Sequence, residues 1–306
     1  MSTYAILEAP SVLGLSPSGV QHLPRALLAH GLGERLAARH AGRVEPPAFV
    51  PERDAATGIL NPSSIVEYAQ KLGERVSAVL ASGDFPVVLG GDCSILLGGL
   101  LALRRSLRPG LLFLDGQADF YQPEAEENGE AASMDLALAT GRGPARMTTI
   151  DGYRPLVRDE DVAVLGFRDA ADAAAHGSQP LAPSILALPL EEVRRLGAGQ
   201  AVSVALEHLS RSGGPDRFWI HLDVDVLDDA IMPAVDYRMP GGLSWNELTT
   251  VLSAAARHPR AAGLEVCIYN PSLDRSGAGA VGLVETLVSA LRPPQGSSRS
   301  VEARAG

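Results

Sequence analysis

Ile220-His221-Leu222-Asp223-Val224-Asp225-Val226-Leu227-Asp228 opens as an apolar strand and runs into acid at its end. Asp223 and Asp225 alternate with apolar residues, so in an extended segment their side chains share one side. Two carboxylates so placed repel one another unless a cation or a shared proton comes between them. By the same alternation His221 falls on that side, as a proton carrier or a support for the carboxylates. A core histidine bonded within a sheet fits it equally.

Two further segments end the same way. Val87-Val88-Leu89-Gly90-Gly91-Asp92-Cys93-Ser94 closes a strand on a tight turn, and Leu112-Phe113-Leu114-Asp115-Gly116-Gln117-Ala118-Asp119 repeats the every-second-residue spacing of polar groups. Any one of these aspartates could be a helix cap or a strand-end residue. Three apolar strands that all end in acid point instead to one crevice holding Asp115, Asp119, Asp223 and Asp225. A divalent metal is then the economical occupant. Oxygen-rich sites suit Mn²⁺, Mg²⁺ or Ca²⁺, and a thiolate from Cys93 would tilt the preference toward Zn²⁺.

Outward from these segments, short apolar runs alternate with helical patterns. The expected strands are Tyr4–Leu7, Pro86–Leu89, Leu111–Leu114, Val162–Gly166, Ile185–Leu188, Phe218–Leu222 and Gly263–Ile268. Most are apolar at consecutive positions, as in strands covered on both faces. Ser63–Ala81 carries Ile65, Tyr68, Leu72 and Val76 at helical spacing after Asn61-Pro62, a cap followed by proline. Ser244 and Glu247 have the spacing of a capping box ahead of a helix reaching Ala256. The pattern predicts an α/β protein: a three-layer αβα sandwich around a mostly parallel sheet. Long loops are expected at Gly116–Ser133 and Asp228–Gly242, where such folds bind ligands. No linker divides residues 1–291, which read as one domain, and the tail 292–306 has a disorder-like composition.

Composition narrows the partners. A net charge of −10 argues against nucleic acid or an anionic membrane surface and suits a small cationic substrate or a metal. Two distant cysteines make no disulfide framework. The chain shows no basic, apolar leader and no apolar run of membrane-spanning length, so the expectation is a cytoplasmic protein.

The three acidic segments resemble the motifs of the ureohydrolase family of arginases and agmatinases, Gly-Gly-Asp-His-Ser, Asp-Ala-His-x-Asp and Ser-x-Asp-x-Asp-x-Leu-Asp, in the same order. Gly241-Gly242-Leu243-Ser244, Leu165-Gly166-Phe167-Arg168-Asp169 and Asn270-Pro271 add to the match, which runs from about Tyr4 to Leu291. The resemblance implies a three-layer α/β fold, a trimer or hexamer, and hydrolysis of linear C–N bonds by water activated on two manganese ions. Position by position, it puts one ion on Cys93, Asp115, Asp119 and Asp223. The other falls on Asp115, Gln117, Asp223 and Asp225, with Asp119 as the proton relay.

Both metal-binding histidines of the family are replaced here, by Cys93 and Gln117. Cysteine binds metal as thiolate, whereas a neutral amide binds transition metals poorly, so one ion or two are expected. The family's loop histidine falls within Gly129–Asp135, which has none. Its guanidinium-clamping glutamate maps to Ile268, and the aspartate that arginases use for the amino group maps to Ala171. Glu130, Asp135, Asp172 and Glu265 are the nearby candidates for holding substrate. Three functions stay open: a hydrolase of a small guanidine or amidine, a binding or regulatory protein that has lost hydrolysis, and a metal-free enzyme with Cys93 as nucleophile.

Overall fold

The computed structural model describes residues 3–292, so most of the tail 292–306 lies outside the described residues. Eight strands form one sheet in the order β2-β1-β3-β8-β7-β4-β5-β6. In chain order they are β1 (Tyr4–Glu8), β2 (Arg39–Arg43), β3 (Phe85–Leu89), β4 (Pro109–Leu114), β5 (Val162–Leu165), β6 (Leu186–Leu188), β7 (Arg217–Asp223) and β8 (Ala261–Cys267). Every pairing is parallel. Helix Pro62–Ala81 packs on Leu96–Arg104, while Ala198–Ser210, Trp245–Ala256 and Ala278–Leu291 pack together in a second layer. The arrangement is the expected αβα sandwich.

The four central strands β3, β8, β7 and β4 are neighbours, and each is buried nearly throughout. That burial is why they read as unbroken apolar runs. β2 was not expected: Arg39-His40-Ala41-Gly42-Arg43 is a largely exposed edge strand and carries no such run. β8 stops at Cys267 rather than Ile268, because Ile268 turns into the left-handed region at φ 71°.

The capping box forms. Ser244 Oγ accepts from Glu247 N at 3.3 Å, and Glu247 Oε2 accepts from Ser244 N at 2.9 Å. Asn61 does not cap by its side chain. Its Oδ1 accepts from Val50 N and its Nδ2 donates to Leu13 O, so it ties two loops together while Pro62 opens the helix. The loop 228–242 is fastened by Arg168, whose Nη2 donates to the carbonyls of Asp225, Leu227 and Met239 and whose Nε donates to that of Pro240. No helix among the described residues is long and apolar enough to cross a membrane.

Candidate metal centre

Each acidic segment leaves the C-terminal end of one of the four central strands, and local hydrogen bonds explain its residue types. After β3, Gly91 lies so close to the chain at Ser11 that a Cβ would overlap the Ser11 carbonyl oxygen. Asp92 accepts from Ser94 N at 2.9 Å and from Ser11 Oγ at 2.7 Å. It therefore caps the turn that presents Cys93 instead of facing the crevice. After β4, Asp115 Oδ1 accepts from Gln117 N, and Asp119 sits at φ 44°, a left-handed backbone that few non-glycine residues adopt.

β7 ends at Asp223, and Asp225 lies in a 3₁₀ turn over Val224–Val226. Asp225 thus does not reach the crevice by strand alternation with His221 and Asp223, as expected from an extended segment. The turn brings it in, with its N–H donating to Asp223 Oδ1 at 2.7 Å and its Oδ1 accepting from Gly116 N at 2.9 Å.

Asp115, Asp119, Asp223, Asp225 and Cys93 are all buried together. Cys93 Sγ is 3.0 Å from Asp223 Oδ2, and Cys93, Asp115 and Asp223 each offer a ligand atom within 4.8 Å of the others. Burial, and then repulsion from the neighbouring aspartates, pushes the Asp115, Asp119 and Asp223 carboxyls well above their ordinary range. Burial also raises Asp225, and with the neighbouring Cys267 and Asp223 it raises the Cys93 thiol. Among the described residues no donor reaches Asp115 Oδ2, although that atom is buried. Carboxylates in this arrangement suit a cation, and Cys93, Asp115 and Asp223 offer donors close enough to share one divalent ion, with Asp119 in the wall of the adjoining cavity.

The second metal position implied by the resemblance fits less well. Gln117 is half-buried in the wall shared by two cavities and supplies an amide where imidazole would be needed. The inner cavity has about 20 Å³ of free space, room for an ion or a water, and is lined by Cys93, Gln117, Asp119, Asp223, Asp225 and Ile268 among others. An outer cleft of about 200 Å³ shares Gln117, Ser133 and Tyr237 with it and carries Glu126, Glu127 and Asp172.

The remaining candidates divide by depth. Asp172 stands in the wall of the outer cleft. Glu130 is buried and committed to the loop, accepting from Ser16 N at 2.9 Å and from Tyr237 Oη at 2.8 Å. His221, Asp135 and Glu265 are fully buried. Ladder register fixes His221 between Phe113, on which it stacks at 4.6 Å, and Glu265, whose Oε1 is 2.7 Å from His221 Nδ1. His221 Nε2 is 4.0 Å from both Asp115 and Asp135. The pattern of polar residues does not single out Cys267, the last residue of β8 and a neighbour of Cys93, nor Asp169, which accepts from Ala118 N. Only the order of strands in the sheet brings Cys267 to this place.

Comparison with known proteins shows the family and the fold. An arginase of Staphylococcus aureus (strain COL) is 28% identical over 292 residues, 92% of this chain and 95% of its own length. The solved native structure of an arginase from Bacillus caldovelox superposes with a TM-score of 0.85 at 26% identity, covering 96% of this chain and 100% of its own. Proclavaminate amidino hydrolase from Streptomyces clavuligerus shares the fold at a TM-score of 0.68 and 19% identity, over 95% of this chain and 90% of its own. The model of the Arginase family matches residues 2–291, and the chain belongs to that family.

Proposed function

We propose that this protein is a metal-dependent hydrolase of linear C–N bonds in a small guanidine or amidine. The observation that carries the reading is the convergence of Asp119, Asp223 and Asp225, with Cys93, around space for a single ion or water, with Asp115 close beside Cys93 and Asp223. A divalent cation held there would supply the Lewis acidity that makes water a nucleophile near neutral pH.

The chain's own residues do the rest. Asp119, on a constrained backbone and in the wall of the inner cavity, is placed to relay a proton to the leaving amine. His221 does not line the cavity and is held behind it by Glu265 and Phe113, so it is a positioning residue. The acidic outer cleft favours a substrate with a cationic tail.

L-Arginine is expected to be a poor substrate, because Ile268 lines the inner cavity at the position where arginases place their guanidinium clamp. A charge-assisted bidentate contact is thereby missing. The reading extends to a homo-oligomeric cytoplasmic protein formed as one domain over residues 1–291, and light scattering of the purified chain tests its assembly. A catalytically silent binding protein is the second reading, favoured by the amide at Gln117. Use of Cys93 as a metal-free nucleophile is disfavoured, because burial holds its thiol protonated.

The test is Mn²⁺ retained per chain after desalting, followed by urea and ammonia release from a panel of guanidines and amidines. Retained metal with release supports the hydrolase. Retained metal without turnover of any compound, or no retained Mn²⁺, moves the assignment to the silent binding protein.

A further inference from the structure

Beneath the aspartates lies a second group of ligands, which shares Cys93 with the hydrolytic centre and adds residues that centre does not use as ligands. A ring nitrogen of His221 and the sulfurs of Cys93 and Cys267 lie within 4.8 Å of one another, all buried. They arrive from three adjacent strand ends: β7, the turn after β3, and β8. Asp135, at the start of helix Asp135–Ala139, joins from a fourth element. It offers an oxygen within 4.8 Å of ligand atoms on Cys93 and Asp119, and its Oδ2 is 4.0 Å from His221 Nε2.

Two independent features mark this as a ligand set. Among the described residues neither oxygen of the fully buried Asp135 carboxyl has a hydrogen-bond partner, and neither does His221 Nε2. Leaving such groups unpaired in the interior is costly. His221 is also oriented as a metal-binding imidazole is. Its Nδ1 is held by Glu265 at 2.7 Å, which leaves the Nε2 lone pair for an ion.

We propose that Cys93, Cys267, His221 and Asp135 form a closed site for one thiophilic divalent ion, Zn²⁺ by donor chemistry, beneath the aspartate cluster. Two sulfurs, an imidazole and a carboxylate are a zinc donor set, and four protein ligands mark a structural ion. At Zn–S of about 2.3 Å and Zn–N of about 2.0 Å, ligand atoms in a tetrahedron stand about 3.3–3.8 Å apart. Cys93, Cys267 and a ring nitrogen of His221 already lie within 4.8 Å of one another, and Asp135 would close on them from its place 4.0 Å from His221 Nε2. The ion would cross-tie three central strand ends and neutralise acid buried below the hydrolytic centre. The proposal does not depend on hydrolysis or on manganese, although Cys93 faces both sites.

The experiment loads metal-free, reduced wild-type protein with one equivalent of Co²⁺ and reads the sulfur-to-cobalt charge-transfer band, alongside zinc per chain in protein purified without added metal. A tetrahedral thiolate spectrum and one zinc per chain are expected. Cys267→Ser should abolish the band, and Glu265→Gln should weaken zinc binding about 10- to 100-fold. The wild-type spectrum stands even if a variant fails to fold. Absence of the band, an unchanged band in folded Cys267→Ser, or a thiol count showing Cys93 and Cys267 joined as a disulfide would overturn the proposal. Mn²⁺ uptake without the band sinks this site and spares the hydrolase. The band without Mn²⁺ uptake does the reverse.

Discussion

Ile268 holds the left-handed backbone at φ 71° with a β-branched side chain, a conformation that costs on the order of 1–3 kcal/mol. Its N–H donates to Gly91 O at 2.8 Å, and that bond with the packing around it keeps the strain in place. A carboxylate there would face the inner cavity directly. Ile268→Glu is therefore expected to tighten binding of simple guanidinium ions about tenfold, the effect of one charge-assisted contact worth about 1.5 kcal/mol. Competition in a turnover assay, or calorimetry on metal-loaded protein, measures it. Unchanged affinity would mean that position 268 does not meet the substrate. Gln117 is the matching test on the metal side. Gln117→His replaces an amide by an imidazole in the cavity wall, so Mn²⁺ retained per chain should rise, and an unchanged stoichiometry would contradict the assignment of Gln117 to the second ion.

At the scale of elements, the site depends on turns that offer their backbone no slack. Gly91→Ala would drive a Cβ into Ser11 O, a backbone atom, so the turn carrying Cys93 must shift. A loss of about 3 kcal/mol in urea unfolding is expected, together with weaker metal retention. Ser244→Ala removes only a helix cap that lines neither cavity and should cost about 1 kcal/mol with metal content unchanged. If both variants lost metal equally, retention would be tracking global stability and not the turn. The same contrast explains what the sequence could convey. Central strands announce themselves because both faces are buried, and the aspartates because acid at the end of an apolar run is unusual. β2 gives no signal, since an exposed edge needs no apolar run. Asp225 is legible as a site residue even though an extended backbone is the wrong geometry for it, because a 3₁₀ turn and a strand can deliver the same carboxylate. Cys267 stays hidden, as does the bond from Glu265 to His221, since both depend on β8 lying between β3 and β7, and spacing along a chain does not encode strand order.

For the whole molecule, the buried acids couple stability to pH and to metal. Asp115, Asp119, Asp135 and Asp223 all have carboxyls raised well above the ordinary value, by burial first and by neighbouring acids second. In the unfolded chain they titrate at about pH 3.9. Between that value and their native ones the folded state binds more protons, so metal-free protein loses stability as pH rises through this window. Surface carboxyls shift the other way, as where Arg39 holds Asp84 low and Arg105 holds Asp151 low, and would add stability over the acid range. They are common to metal-free and loaded samples, so the difference between the two isolates the buried cluster. A cation replaces the protons, and its binding strengthens as they leave. Mn²⁺ at about a hundred times its dissociation constant contributes about 2.7 kcal/mol, or about 5 °C in Tm for a chain of this size. The shift should be larger at mildly alkaline than at mildly acidic pH, with a chelator reversing it. An equal shift at both pH values would mean that the ion sits away from the aspartates, and no shift at either would leave protons as the only partners these carboxyls have.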